Sequence, residues 1–215
     1  MLIVCNLIKV YNKISIIQGL AGVGPQHWQG QWEARYGYER VLQHDWERPL
    51  RGDWITRLEE VVLAAPAAKP IYLVAQGLGC ILVAAWAGVS RNTQRVHGAL
   101  LVAPQDIERT DLRERLPSWS PLAHPPKAHQ HAPSEPLPRE RLPREVLPFP
   151  SQLLACPKDL SCSFDRAQGF AQTWGSEFID ASKHGCQSGD GNLGAWPECH
   201  ALLLKLQQRS KKTEH

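Results

Sequence analysis

The sequence predicts an α/β fold built on a parallel, doubly wound sheet of about six strands. Short apolar runs rich in β-branched residues alternate with stretches of helical period along most of the 215 residues. The strand candidates lack strict polar alternation, which is typical of strands buried on both faces of a sheet. Repetition of strand, helix and strand then favours parallel strands joined by right-handed crossovers.

The strands and helices are predicted in order from these two patterns. The six apolar, β-branched runs are Ile14–Gln18, Arg40–Gln43, Ile71–Ala75, Gly98–Ala103, Ser151–Cys156 and Glu177–Asp180. The five stretches of helical period are Gln26–Tyr36, Asp53–Ala65, Leu78–Val89, Phe164–Trp174 and Trp196–Gln208. The third helix is apolar almost all round, as expected of a helix buried against a sheet. Pro197 suits the start of the last helix, where its missing N–H is not needed.

We expect one domain over residues 14–208, with an extension over residues 1–13 and a polar tail over residues 209–215. Residues 117–150 interrupt the pattern because they hold ten of the 17 prolines. Proline removes backbone donors, so a mobile loop or extended arm is expected there. Its place after the fourth strand is on the ligand-facing edge of an open α/β sheet. A substrate lid and an inert insertion both fit, and the inert insertion is favoured.

Composition and charge argue against several classes of protein. The net charge of +3 is too small to indicate binding to nucleic acid or to a membrane. The first apolar run is too short to span a membrane and lacks a signal-peptide cleavage site. The six cysteines form no CxxC pair, so we expect free thiols and a cytoplasmic protein. The His129-Gln130-His131 step lacks companion ligands, so neither a metal nor another cofactor is expected.

A strand, a turn of small residues and an apolar helix follow one another at Val74-Ala75-Gln76-Gly77-Leu78-Gly79-Cys80. This is the context of a nucleophile elbow, in which a residue on a strained turn presents its side chain at a helix N-terminus. The apex here is Gly77, and Gly79 lets the helix pack closely. Gly77 has no side chain that can attack a substrate. Glycine also relieves the strain of the turn, about 1–3 kcal/mol for other residues.

Further motifs stand along the chain in a specific order and spacing. They are Gly19-Leu20 with Gly24-Pro25-Gln26-His27-Trp28-Gln29, Gln43-His44-Asp45-Trp46-Glu47-Arg48-Pro49, Leu73–Cys80, Gly98–Pro104, Cys162–Ala167 and Leu193–Glu198. In these residues, from Gln18 to about Leu204, the chain resembles the small serine hydrolases of the retinoblastoma-binding-protein and YdeN type. The resemblance implies an α/β-hydrolase-like three-layer sandwich and a Ser-His-Asp triad acting on esters or related acyl substrates.

The resemblance also implies roles for particular residues. The family elbow reads His-Ser-x-Gly, whereas this chain has Gln76-Gly77-Leu78-Gly79, so Gly77 occupies the nucleophile position. Asp159 falls at the position of the acid, although Leu160 replaces the usual following proline, and His184 falls at the position of the base. The order nucleophile, acid, base is that of α/β-hydrolases.

The remaining predicted site residues belong to the oxyanion hole and the pocket. An oxyanion hole needs only backbone donors, here the N–H of Leu78 and one from the Leu20-Ala21 loop. His27, Trp28 and Gln76 are expected to line or floor the pocket. Cys80 lies three residues past the apex and is expected to point into the helix packing.

Two functions from different classes follow from these residues. One is a non-catalytic protein whose pocket binds a small acyl or carboxylate ligand, or a partner. The other is an active hydrolase on small esters that uses a non-standard nucleophile or a water activated by His184. The missing serine favours the first, and the presence of Asp159 and His184 keeps the second open. A third possibility is that the gene is decaying, which would explain the proline-rich insertion. The sequence identifies no particular protein partner.

Overall fold

A computed structural model of the chain describes residues 12–20, 24–119, 146–183 and 193–212. At its centre lies a parallel sheet of six strands in the order β2-β1-β3-β4-β5-β6. The strands are β1 (Lys13–Ile17), β2 (Glu39–Arg40), β3 (Ile71–Gly77), β4 (Val96–Pro104), β5 (Ser151–Ala155) and β6 (Glu177–Asp180). The predicted α/β sandwich with a doubly wound parallel sheet is confirmed.

Helices cover both faces of this sheet. Within the described ranges they are α1 (Trp28–Tyr36), α2 (Arg51–Ala64), α3 (Leu78–Ala87), α4 (Thr110–Arg115), α5 (Phe164–Trp174) and α6 (Pro197–Lys212). Short 3-10 turns lie at Thr93–Arg95, Pro117–Trp119 and Ala181–Lys183. None of the helices in these ranges is long and apolar enough to cross a membrane. The sequence pattern did not predict α4, which is only six residues long.

The two faces of β3 explain why its sequence shows no polar alternation. Ile71, Leu73 and Ala75 point to one apolar layer, which α2, α3 and α5 complete. Tyr72 and Val74 point to the other layer, which α1 and α6 complete. Each of these five side chains is at most 1% exposed, so both faces of the strand are buried.

The ends of the proline-rich stretch are packed rather than extended. Trp119, Leu147 and Phe149 are buried in the layer that contains α3, so these two ends do not belong to a mobile loop. Residues 120–145 lie outside the described residues, and so does the extension predicted for residues 1–13, apart from Asn12 and Lys13. Lys13 already belongs to β1.

The last helix extends into the segment that we predicted to be a polar tail. It runs to Lys212 rather than ending at Gln208. The physical reason lies at Ser210, which is buried and donates its hydroxyl proton to the carbonyl oxygen of His97 at 2.8 Å. A buried contact of this kind extends a helix beyond the end of its apolar pattern.

The cysteines require one correction. Cys80, Cys162 and Cys199 are free and buried, in agreement with the expectation of thiols. Cys156, directly after β5, is disulfide-bonded, and its partner lies outside the described residues. The pairing depends on proximity in the folded chain, which cysteine spacing along the sequence does not reveal. The cysteine argument for a reducing compartment is therefore weakened.

Candidate functional site

The candidate site lies at the carboxyl ends of β1 and β3, where the order of strands reverses. The chain passes from β1 to β2 on one side and then returns to β3 on the other side of β1. Ligands of open α/β sheets bind in the crevice at such a point. Gly19-Leu20 follows β1 after Gln18, and Gly77-Leu78 joins β3 to α3, so both predicted segments lie at this crevice.

Gly77 forms the turn between β3 and α3 in a conformation that favours glycine. It is the last residue of β3 and the N-cap of α3, with φ 56° and ψ −121°. A Cβ built on Gly77 would lie 3.6 Å from the Cα of Gly19 and 4.0 Å from Oε1 of Gln105. Both are ordinary van der Waals distances. The turn therefore has room for a side chain, but its backbone would be strained by one.

Two further glycines bring β1 and the elbow together. A Cβ on Gly79 would lie 2.8 Å from the carbonyl oxygen of Ile17, which is closer than real contacts of a Cβ, and 3.0 Å from that of Gln18, which is tight. Gly79 thus allows the start of α3 to pass directly over the end of β1. A Cβ on Gly19 would lie 3.5 Å from the backbone nitrogen of Leu78. Gly19 therefore packs its backbone against Leu78, which is fully buried.

The start of α3 supplies backbone donors at this position. The first N–H groups of a helix have no partner within the helix and carry a partial positive charge. Gly77 has no side chain that could cap them. Leu78, whose N–H was predicted to serve the oxyanion hole, is the first residue of this uncapped helix. Such a terminus favours an anion or a polarised carbonyl oxygen.

A cavity of about 430 Å³ adjoins the segment that follows β1. It is lined by Leu20, Trp46, Glu47, Arg115 and Leu116. Its apolar wall is formed by Leu20, Leu116 and Trp46, whose ring packs edge-on against Trp54 with the ring centroids 5.2 Å apart. The side chains of Glu47 and Arg115 are exposed. The volume is within the range of small-molecule pockets.

Asp159, the predicted acid, lies in the loop after β5 and is half-buried. Its backbone N–H donates to the carbonyl oxygen of Cys156 at 3.0 Å. One carboxylate oxygen, Oδ1, accepts a hydrogen bond from the backbone N–H of Ser161 at 2.7 Å. The second carboxylate oxygen is not used by this turn, so the residue retains an acceptor for a neighbouring group.

The loop that carries Asp159 is attached to the loop after β4. The backbone N–H of Asp106 donates to the carbonyl oxygen of Ser161 at 3.2 Å, and the Arg109 guanidinium donates to the carbonyl oxygen of Leu160. Arg166 on α5 lies 3.5 Å from the carboxylate of Asp106. These contacts fix the acid loop against the strand next to β3.

The free thiols are poor nucleophiles. The Cys80 sulfur is fully buried, 3.4 Å from the carbonyl oxygen of Val102, and burial raises its pKa far above the ordinary range. Burial raises the pKa of Cys162 to about 12, and the nearby carboxylates of Asp106 and Asp159 add to this effect. Because the thiolate is the reactive form, neither residue replaces the missing serine at neutral pH.

The residues predicted to line the pocket differ in their surroundings. His27 caps α1, since its Nδ1 accepts from the N–H of Gln29 at 3.3 Å; burial and then the charge of Arg40 lower its pKa to about 4. Trp28 is 2% exposed and packs edge-on against Trp32, so it belongs to the core and can serve a pocket only as its floor. Gln76 is half-buried on β3, directly before Gly77.

Two predicted site residues, Ala21 and His184, lie outside the described residues, so their roles remain predictions. Conversely, the sequence analysis missed Gln105, whose side chain lies beside the elbow. The available signal was its position one residue past the end of β4, the strand next to β3. In the part of the chain that the structure describes, no three His, Cys, Asp or Glu residues are grouped so that they could hold a metal ion.

The fold, the elbow and the helix terminus define a protein of the α/β-hydrolase class. The sequence profile of the serine hydrolase family matches residues 14–205, and the chain therefore belongs to this family. No curated protein matches the sequence.

Several solved structures share the fold at low sequence identity. A YdeN-like hydrolase from Pectobacterium atrosepticum is 19% identical, with a TM-score of 0.63 over 97% of this chain and 94% of its own. The ydeN gene product of B. subtilis is 16% identical, with a TM-score of 0.59 over 92% and 99% of the two chains. Est1E from Butyrivibrio proteoclasticus, with ferulic acid bound, is 10% identical, with a TM-score of 0.61 over 92% and 90%.

Proposed function

We propose that this member of the serine hydrolase family has lost its nucleophile and binds a small acyl or carboxylate ligand without turning it over. The observation that carries the proposal is Gly77, which stands at the N-cap of α3 with φ 56° and ψ −121°. The turn keeps the strained backbone of an elbow, but no hydroxyl is there to attack an acyl carbon.

Binding is expected to persist because it depends on groups that the chain retains. The uncapped start of α3 favours an anionic oxygen, and Gly19 brings the end of β1 against the Leu78 N–H. The apolar wall of Leu20, Trp46 and Leu116 suits a short hydrocarbon tail. Est1E has ferulic acid, a carboxylic acid, bound in the same fold, which supports the use of carboxylates as probes.

The alternative is an active hydrolase without the serine. The thiol form of this alternative has no support, because Cys80 and Cys162 are buried and their pKa values are raised. The form in which His184 activates a water has one favourable observation. Apart from its chain neighbours Gln76 and Leu78, no described residue approaches the Cβ position of Gly77 more closely than 3.6 Å, so a small group can stand in place of the missing side chain.

Hydrolysis of p-nitrophenyl acetate and butyrate separates these functions. The wild-type protein is compared with Gly77→Ser, with Gly77→Ala as the matched control for backbone strain, and with the double variant Gly77→Ser/Gln76→His. We expect no turnover by the wild type or Gly77→Ala, and a gain of at least about 10²-fold with serine, because loss of a serine nucleophile typically removes several orders of magnitude in kcat. Turnover by the wild type that His184→Ala abolishes would contradict the proposal and support the activated water.

A further inference from the structure

Gln105 reaches the place of the missing nucleophile from a neighbouring strand. Apart from the chain neighbours Gln76 and Leu78, the described atoms within 4 Å of the Cβ position of Gly77 are the Cα of Gly19 at 3.6 Å and Oε1 of Gln105 at 4.0 Å. A group bound where the serine hydroxyl would stand is therefore within hydrogen-bonding reach of this carboxamide. The assignment of the amide oxygen and nitrogen is interchangeable, so either a donor or an acceptor can face this position.

The backbone holds Gln105 at this position. Its N–H donates to the carbonyl oxygen of Gly77 at 3.2 Å, and its own carbonyl oxygen accepts from the N–H of Ile107 at 3.1 Å. Two residues earlier, Ala103 adopts a positive φ of 48°, and the pairing of β3 with β4 shifts register between Gln76 and Gly77. Positive φ in a residue other than glycine is strained, and such strain concentrates at ligand sites.

The Gln105 carboxamide is also available for a ligand. The side chain is half-buried, and its amide forms no hydrogen bond with any residue in the described ranges. A carboxamide carries two donor hydrogens and an accepting oxygen without a charge. It can therefore donate to a carboxylate without repelling it, and it lies next to the positive end of α3.

We propose that Gln105 is a ligand-contacting residue of the Gly77 site and that it favours short carboxylic acids, whose carboxylate accepts a hydrogen bond from its carboxamide at the turn before α3. The inference rests on the proposed ligand-binding function and assigns to it a residue and a ligand class. The hydrocarbon tail of the acid would occupy the cavity lined by Leu20, Trp46 and Leu116.

The test compares two probes of the same shape, butyrate and its neutral amide butyramide, by ligand-observed NMR titration of the full chain. Gln105→Leu removes the hydrogen bonds, and Gln105→Glu replaces the neutral amide with a negative charge. Gln172→Glu, on the exposed surface of α5, introduces the same charge away from the crevice and serves as the control. The melting temperature of each variant confirms that it is folded.

We expect Gln105→Leu to weaken butyrate binding about tenfold or more, as a hydrogen bond to a charged group is lost. Gln105→Glu should weaken butyrate binding further through like-charge repulsion, while butyramide binding stays within about threefold, because the new carboxylate accepts from the amide. Gln172→Glu should bind both probes as the wild type does.

Butyrate binding that is unchanged in folded Gln105→Leu and Gln105→Glu proteins would overturn the assignment of Gln105 and leave the proposed function standing. An equal loss of affinity for butyrate and butyramide in Gln105→Glu would also overturn the assignment of Gln105. Such a loss would indicate a structural disturbance of the site, which weakens both probes alike. If the wild type itself binds no butyrate, both the assignment and the proposed function fail.

Discussion

Replacement of Gly77 by alanine isolates the strain of the elbow from any crowding around it. A Cβ at this position meets its nearest described neighbours at 3.6 and 4.0 Å, which are normal contacts. The backbone, at φ 56° and ψ −121°, is instead the source of the penalty. A residue other than glycine held in such a conformation costs about 1–3 kcal/mol. For a domain of this size each kcal/mol lowers the melting temperature by about 2–4 °C.

The assay is urea-induced unfolding followed by the fluorescence of the eight tryptophans. Gly77→Ala and Gly77→Ser should both lose about 1–3 kcal/mol, because they share the same strain. Gly88→Ala is the matched control. Gly88 follows α3 with an ordinary φ of −73°, and a Cβ there would lie 3.7 Å from the nearest carbonyl oxygens. Its stability should be unchanged or raised by up to about 1 kcal/mol.

The prediction of backbone strain at Gly77 would be refuted if Gly77→Ala were as stable as the wild type while the Gly88→Ala control behaved as expected. Gly77 would then lie in an ordinary turn, and the argument that the chain retains a nucleophile elbow without its nucleophile would lose its structural basis.

Three further predictions concern packing, pH dependence and the thiols. In urea unfolding, Gly79→Ala should lower the free energy of unfolding by about 3 kcal/mol, because its Cβ would lie 2.8 Å from the carbonyl oxygen of Ile17. This value is at the upper end of overpacking penalties. A variant as stable as the wild type would contradict the close approach of α3 to β1. His27→Asn keeps the N-cap acceptor but removes a group whose pKa is lowered to about 4 by burial and then by Arg40. Because the folded pKa lies below the unfolded value of 6.5, His27 contributes its full stability above pH 6.5 and loses it as the pH falls towards 4. The variant should therefore show a shallower loss of stability over this range, and an equal slope would count against the buried neutral histidine. Cys80, Cys162 and Cys199 should resist iodoacetamide at pH 8 until the protein is unfolded, as read by mass spectrometry, whereas rapid labelling of the native protein would contradict their burial.

Much of the fold could be predicted because its signals are local. The uninterrupted apolar run at Ile71–Ala75 reflects a strand with both faces buried, and helical periodicity placed all 11 residues of α5. The turn at Gly77 was also visible, since a strand that runs into small residues and then an apolar helix leaves few alternatives.

The features that were missed depend on contacts between distant parts of the chain. Its place directly after β4 is the one signal that the sequence offers for Gln105, and it is weak because the side chain is positioned by the register between β3 and β4 and by strain at Ala103. The end of α6 depends on the contact of Ser210 with His97, and the pairing of Cys156 depends on the folded path of the chain. Trp28 follows a strand's carboxyl end, as a pocket residue would, but contact with Trp32 keeps it in the core.

The most direct test of the central claim is labelling with a fluorophosphonate, read by intact-protein mass spectrometry. This reagent forms a stable adduct with a serine that is activated by a neighbouring base and aligned with an oxyanion hole. We predict no adduct on the wild type or on Gly77→Ala, and a single adduct at position 77 of Gly77→Ser. Labelling of the wild type at another residue would show that the protein has an active nucleophile and would contradict the claim that Gly77 has disabled the site.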